Sequence, residues 1–187
     1  MVNPLAHPTS RRKLLGASAV GLLLAGCGSS AAPTQSSDQS SPPAIGADVG
    51  VLNSALAIEL HSAAAYTAAI PLLSGRTQKD AKQFLSQDLS HASRLSGIIK
   101  QAGGEAVEPL GSYNLGSPRN ESELLMLLHS VEGTVVAGYL QAIPRLSDGM
   151  VRAVVASILA NDAQHISVLR TRLRLPPVPS ALVSGRE

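Results

Sequence analysis

ELHSAAAYTAAIPLL at residues 59–73 and EGTVVAGYLQAIPRL at residues 132–146 are two versions of one segment, identical at 7 of 15 positions. A second pair follows each: DLSHASRL at 88–95 and DAQHISVL at 162–169, identical at 4 of 8. The paired copies lie 73 and 74 residues apart. Each half of the chain therefore contributes one isolated glutamate, Glu59 or Glu132, and one Asp-x-x-His pair, Asp88 with His91 or Asp162 with His165.

Around these residues the apolar positions step by four and three, the spacing of an inward helical seam. Leu52, Leu56, Glu59, Ala63, Tyr66, Ile70 and Leu73 form one such seam, and Leu125, His129, Glu132, Val136, Tyr139, Ile143 and Leu146 another. Phe84, Asp88, His91, Leu95 and Ile98 mark a helix between them, and Val151, Val155, Ile158, Asp162, His165 and Leu169 a last one. Thr77 with Asp80, and Asn120 with Glu123, have the pattern of N-cap pairs, and Ser147 stands where the last helix needs a cap. Pro71 and Pro144 close the first and third helices; Gly103-Gly104 and Pro176-Pro177 close the second and fourth. Short links within each half and a long Gly- and Pro-rich link from Gly103 to Arg119 predict an all-α four-helix bundle. Its two antiparallel hairpins are joined by one long crossover, with pseudo-two-fold duplication.

Six ionisable side chains at seam positions need an explanation, because a buried charge costs several kcal/mol unless it is paired or coordinated. No Lys or Arg stands at these levels of the seams. Asp and His three apart share one helix face, so they can bind one ion together or let the carboxylate bridge to a second ion. Four carboxylates and two imidazoles offset about four positive charges, the complement of two divalent cations in a four-helix bundle. Mixed oxygen and nitrogen donors favour Fe or Mn, with Zn admissible. Tyr66 and Tyr139 read as core rings whose hydroxyls need partners. His129, one turn before Glu132, reads as a core histidine, with an extra metal ligand or a donor behind a carboxylate as the alternatives. His61 faces the other way and reads as surface, and Arg170, Arg172 and Arg174 as a solvated last turn.

Composition narrows the rest. No Trp and 2% aromatic residues leave no stacking platform for nucleic acid. The net charge of +2 owes its sign to Arg11, Arg12 and Lys13, so no basic face remains. That triplet precedes a short apolar stretch ending in Leu24-Ala25-Gly26-Cys27. The stretch resembles a twin-arginine export signal fused to a bacterial lipoprotein box. The resemblance implies cleavage before Cys27, the single cysteine, and a lipid on its sulfur. The expected organisation is a signal peptide at 1–26, a disordered Ser/Pro/Gly tether at 27–47, the bundle at 48–174 and a tail at 175–187.

Within residues 50–173 the chain resembles the ferritin-like superfamily, and within it the exported ferritin-like proteins of bacteria, some of them labelled desiccation-related. The residues that carry the likeness are VLNSALAIELHSAAAY in the first helix and SILANDAQHISVLR in the fourth. The family pattern is Glu, Glu-x-x-His, Glu, Glu-x-x-His. The resemblance implies metal ligation by Glu59, Asp88, His91, Glu132, Asp162 and His165, with Tyr66 as a near-site tyrosine. Here both Glu-x-x-His glutamates are aspartates, one methylene shorter, which leaves bidentate and bridging roles open. Two functions follow as expectations. One is a di-iron or di-manganese protein at the outer face of the cytoplasmic membrane that handles oxidant. The other is a non-catalytic lipid-anchored module for envelope interaction or stress protection. A mineral-storing cage is not expected, and a homodimer stays open.

Overall fold

The computed structural model describes residues 44–187. The readings of the export signal, of Cys27 and of most of the tether lie outside the described residues. Among those described, the architecture is all-α, with no strand. Helix α1 spans Ala44–Ala69, α2 Gly75–Gln101, α3 Glu121–Ala142 and α4 Gly149–Arg172. α1 thus begins inside the stretch read as tether. Helices α1 and α2 form one hairpin and α3 and α4 the other. The main packing runs α1 on α2, α1 on α3 and α3 on α4.

The duplicated Ile-Pro dipeptides end α1 and α3 in the same way. A 3-10 turn follows each helix, at Ile70–Leu72 and Ile143–Arg145, with proline at its start. Proline cannot donate the next helical hydrogen bond, so the chain tightens and stops. The carbonyls this frees are taken up by side chains. Gln78 Nε2 donates to Ile70 O and Leu73 O at 3.0 and 2.9 Å. Arg152 Nη1 does the equivalent work for Leu146 O and Ser147 O at 2.7 and 3.0 Å.

The cap readings divide. Asn120 caps α3: its side chain accepts from Glu123 N at 2.9 Å, and Nδ2 donates back to Glu123 Oε1. Thr77 is not a cap. α2 starts earlier, at Gly75 behind Ser74, and Asp80 instead pairs with Arg172 at 2.5–2.6 Å. Ser147 is not the α4 cap either. Asp148 is, accepting from Val151 N at 2.9 Å. Ser147 donates from both its backbone N and its hydroxyl to Asp48 of α1, which ties the two hairpins together.

The crossover lies on α1. Asn53 grips it through Glu105 O at 2.8 Å and Val107 N at 2.9 Å. Gly104 sits against Val49, where a Cβ would meet Val49 Cγ1 at 2.7 Å. Tyr113 stacks on His61 with centroids 5.4 Å apart. His61 is therefore half-buried beneath the crossover rather than free surface.

Of the last-turn arginines, Arg174 is exposed as expected, but Arg172 pairs with Asp80 and Arg170 departs furthest. Arg170 is buried and holds the tail, donating to Pro176 O at 2.7 Å and Glu187 O at 2.5 Å. The tail lies along α3 so closely that a Cβ on Gly133 would meet Gly185 O at 2.7 Å. Only a glycine there admits the second backbone.

The stretch Gly46–Leu72 has the length and hydropathy of a membrane span. In this fold it is a core helix, because the side chain of Glu59 on it is sealed among its neighbours. The apolar core consists of two clusters with a polar layer between them. Along α1 the order is Leu56, then Glu59 and Ser62, then Tyr66; along α2 it is Phe84, then Asp88 and His91, then Leu95. On α3, Glu132 separates Leu128 from Val135, and on α4 Asp162 and His165 separate Ile158 from Leu169. All four helices place their chemistry at one level.

Candidate metal centre

Glu59, Asp88, Glu132, Asp162 and His165 are at most 1% exposed, and His91 is partly buried. Their ligand atoms fall into two groups, each within 4.8 Å: Glu59, His91 and Asp162; and Asp88, Glu132 and His165. The grouping divides each Asp-x-x-His pair. Each group takes its Glu and His from one hairpin and its Asp from the other. His91 Nδ1 lies 3.3 Å from Asp162 Oδ1 and 3.6 Å from Glu59 Oε1. His165 Nδ1 lies 3.0 Å from Glu132 Oε1 and 3.7 Å from Asp88 Oδ1. Asp162 Oδ1 is also 3.7 Å from His165 Nδ1, so this oxygen stands between the two groups.

Both tyrosines cross between hairpins. Tyr66 donates its hydroxyl to Glu132 Oε1 at 2.6 Å, and Tyr139 donates to Glu59 Oε1 at 2.5 Å. Ser62 donates to Asp88 Oδ2 at 2.7 Å. His165 Nε2 meets Gln87 Oε1 at 2.9 Å, and Phe84 stacks on its ring at 4.1 Å. Sequence reasoning missed Ser62, Phe84 and Gln87. Ser62 had a signal, as a hydroxyl one turn from Glu59 in a segment of alanines.

His129 does not join the centre. Its Nε2 is buried without a partner, and burial, then the nearby Arg170 charge, pushes its pKa down. It faces a pocket under the tail with Gly133 and Glu187.

The electrostatics record too many acids for the donors available. Burial, then the Glu132 and Glu59 charges, pushes Asp88 up to about 9. Burial raises Glu132 well above the carboxylate range, and also raises Asp162. Burial alone would lower His91, but the Asp162 and Glu59 carboxylates beside its Nδ1 outweigh that and carry it up to about 10. His165 is pushed down to about 4, chiefly by burial. Among the described residues, the only basic groups that pair with these acids are the two histidines, of which His91 is held charged and His165 neutral.

Whether the residues fit a cation can be tested on the polar atoms left over. Buried donors and acceptors are nearly always satisfied, and exceptions mark a missing partner. Here Glu59 Oε2, Asp88 Oδ1, His91 Nδ1, Glu132 Oε2 and both Asp162 oxygens are sealed from solvent with no hydrogen-bond partner. All six belong to the two groups. Oxygen-rich, mixed carboxylate and imidazole sets suit Fe and Mn. The residues fit.

A four-helix bundle with inward carboxylates and histidines on facing helices defines a class of metal-binding bundle. The profile of the ferritin-like domain matches residues 47–175, and the chain belongs to that family. A conserved hypothetical protein from Mycobacterium tuberculosis has a similar structure, with a TM-score of 0.66 and 17% identity, over 73% of this chain and 96% of that one. So does a ferritin-like, diiron-carboxylate protein from Bacillus anthracis, with a TM-score of 0.58 and 19% identity, over 70% of this chain and 98% of that one. At these identities the likeness is one of fold. No curated protein matches the chain in sequence.

Proposed function

We propose that the protein binds two divalent cations, Fe(II) or Mn(II) with Zn(II) admissible, in the polar layer of the bundle and handles O₂ or peroxide there. The observation that carries this reading is the set of six sealed, partnerless donor atoms shared by two clusters. Glu59, His91 and Asp162 would hold one ion, and Glu132, Asp88 and His165 the other. A bound pair of redox-active cations supplies the electrons that reduce an oxidant.

The chain's own residues do the rest. Tyr66 and Tyr139 fix one oxygen of Glu132 and of Glu59, so the other oxygen of each is aimed at a cation. Gln87 accepts from His165 Nε2–H, which leaves the Nδ1 lone pair free for a cation. The apolar clusters on either side keep bulk water out. Asp88 and Glu132, held neutral by burial and crowding, give up protons as a cation enters.

The same proposal places the protein at the outer face of the cytoplasmic membrane. Arg11 and Arg12 support export, and Cys27 supports a lipid anchor followed by a Ser/Pro tether. Replacing Cys27 by alanine should move the protein from the membrane fraction to the soluble one.

A second reading, a non-catalytic lipid-anchored module with a structural site, draws on the shortened side chains of Asp88 and Asp162. One experiment separates the two. Protein purified without chelator is loaded with Fe(II) or Mn(II), desalted, and assayed for bound metal and for O₂ or peroxide consumption. About two ions per chain with oxidant turnover supports the first reading. Bound metal without turnover supports the second, and a metal-free product removes the site altogether.

A further inference from the structure

We infer that the two ion positions are unequal: Glu132, Asp88 and His165 form a retentive position, while Glu59, His91 and Asp162 form an exchangeable one through which a soluble divalent cation enters and leaves. The inference rests on the metal-binding reading above and assigns Gln87, Phe84 and Ser62 as the positioning residues that create the difference.

The internal duplication makes a like-for-like comparison available. Each group has two carboxylates and one imidazole, so the ligands themselves do not distinguish the positions. Their surroundings do. His165 is gripped on two sides, by the Phe84 ring at 4.1 Å and by Gln87 Oε1 at 2.9 Å. Asp88 is held by the Ser62 hydroxyl at 2.7 Å. In the register of the repeat, Phe84 corresponds to Ile158, Gln87 to Asn161 and Ser62 to Val135. Isoleucine and valine offer no polar atom. Among the described residues, no hydrogen bond joins Asn161 to His91. Both oxygens of Asp162 lack a hydrogen-bond partner. Of the six ligating residues only His91 escapes full burial, with 13% of its side chain exposed.

A ligand already fixed in its binding orientation loses less freedom when the ion arrives. Partners behind metal ligands are typically worth 10–100-fold in affinity. Each group's glutamate has one tyrosine behind it, Tyr66 or Tyr139; beyond these, three partners stand behind one group and none behind the other. The partly exposed imidazole of His91 is the one point where solvent meets a ligand.

The test uses the full chain, stripped of metal and titrated with Mn(II) alone, followed by electron paramagnetic resonance and calorimetry. Two binding steps at least about 10-fold apart are expected. Gln87→Ala should weaken the tighter step by about 10-fold or more and leave the weaker one alone. Gln87→Glu keeps an acceptor for His165 Nε2–H and should restore the tight step. Val135→Ser supplies the missing hydroxyl and should tighten the weaker step, and Asn161→Ala should change neither. Two equivalent ions, or a Gln87→Ala protein that weakens both steps alike, overturns the inference and leaves the metal centre standing. A protein that takes up no Mn(II) refutes the centre itself.

Discussion

Two places in this bundle bury carboxylates, and they handle them in opposite ways. Asp48, 2% exposed, accepts from Ser147 N at 2.8 Å, Ser147 Oγ at 2.7 Å and Asp148 N at 3.0 Å. Burial raises its pKa, but these hydrogen bonds and Arg152 outweigh that and hold it below the usual range. In the central layer four acids share two tyrosines, one serine and two histidines, and Asp88, Glu132 and Asp162 are all driven up. A buried acid with enough donors stays charged and ties parts of the fold together. One without them needs a cation. The count of donors, rather than burial, distinguishes a structural acid from a ligating one.

The strongest way to break the comparison is to supply the cation. At a free metal concentration near a thousand times Kd, binding should stabilise the fold by about 4 kcal/mol. In a domain of this size that is on the order of 10 °C in Tm. Differential scanning calorimetry with Mn(II), then with excess chelator, measures it. An unchanged Tm would place the central acids in the same class as Asp48.

Substitution should move the two places in opposite directions. Asp48→Ala removes the acceptor of two part-buried N–H groups at the start of α4 and should cost about 1–3 kcal/mol, with or without metal. Replacing both Glu59 and Glu132 by leucine removes two poorly compensated acids. It should abolish metal binding while leaving the metal-free fold as stable as before, or more so by about 1–4 kcal/mol. Urea denaturation of both variants under chelator reads the contrast. Equal destabilisation by the two would erase it.

The central half of this contrast was legible in the sequence, and the Asp48 half was not. Glu59, Glu132 and the Asp-x-x-His pairs interrupt apolar seams at matching registers, and seam periodicity reports which face of a helix turns inward. It does not report what a neighbouring helix presents at that level. The transfer of each Asp to the other hairpin's Glu and His therefore became visible only in three dimensions. Asp48 lies in the first turns of α1, and its donors lie about a hundred positions away in a loop. No local pattern links them. Thr77 and Ser147 failed as caps for a related reason. A capping residue type states what a helix end can use, whereas the preceding loop decides where the end falls. Arg170 read as a solvated charge because Pro176 and the tail that cover it have no periodicity of their own.

The two places should also respond to pH in opposite directions. His91 is raised to about 10, so its contribution is complete below its unfolded value near 6.5 and is lost as pH climbs through 10. Asp88 stays neutral in the fold up to about 9 while the unfolded chain ionises it near 4, so it too costs stability as pH rises across that span. The chelated protein should therefore lose stability between about pH 6.5 and 9.5. Asp48, with a lowered pKa, contributes above the ordinary carboxyl range and loses that contribution as pH falls below about 4. The increment from added metal should grow with pH across the alkaline window, because the acids it displaces protons from are already ionising. Tm measured against pH, with and without Mn(II), resolves both trends. A chelated protein whose Tm rises from pH 6.5 to 9.5 would contradict the assignment.

The smallest effect is the most discriminating about symmetry. Tyr66 and Tyr139 make reciprocal bonds, each to the glutamate of the other hairpin, at 2.6 and 2.5 Å. Their rings pack in different apolar clusters, Tyr66 in one and Tyr139 in the other. Phenylalanine keeps either ring and removes only the hydroxyl. Each substitution should cost about 1 kcal/mol in the metal-free protein, the net worth of one buried hydrogen bond. Each also leaves a glutamate free to turn, so ion affinity should fall several-fold, Tyr66→Phe at the Glu132 position and Tyr139→Phe at the Glu59 position. The two losses should be similar, because the tyrosines obey the repeat and Gln87 does not. If Tyr66→Phe proves far more damaging than Tyr139→Phe, the asymmetry of the centre extends to the glutamates themselves, and donor count alone no longer explains how this bundle treats its buried acids.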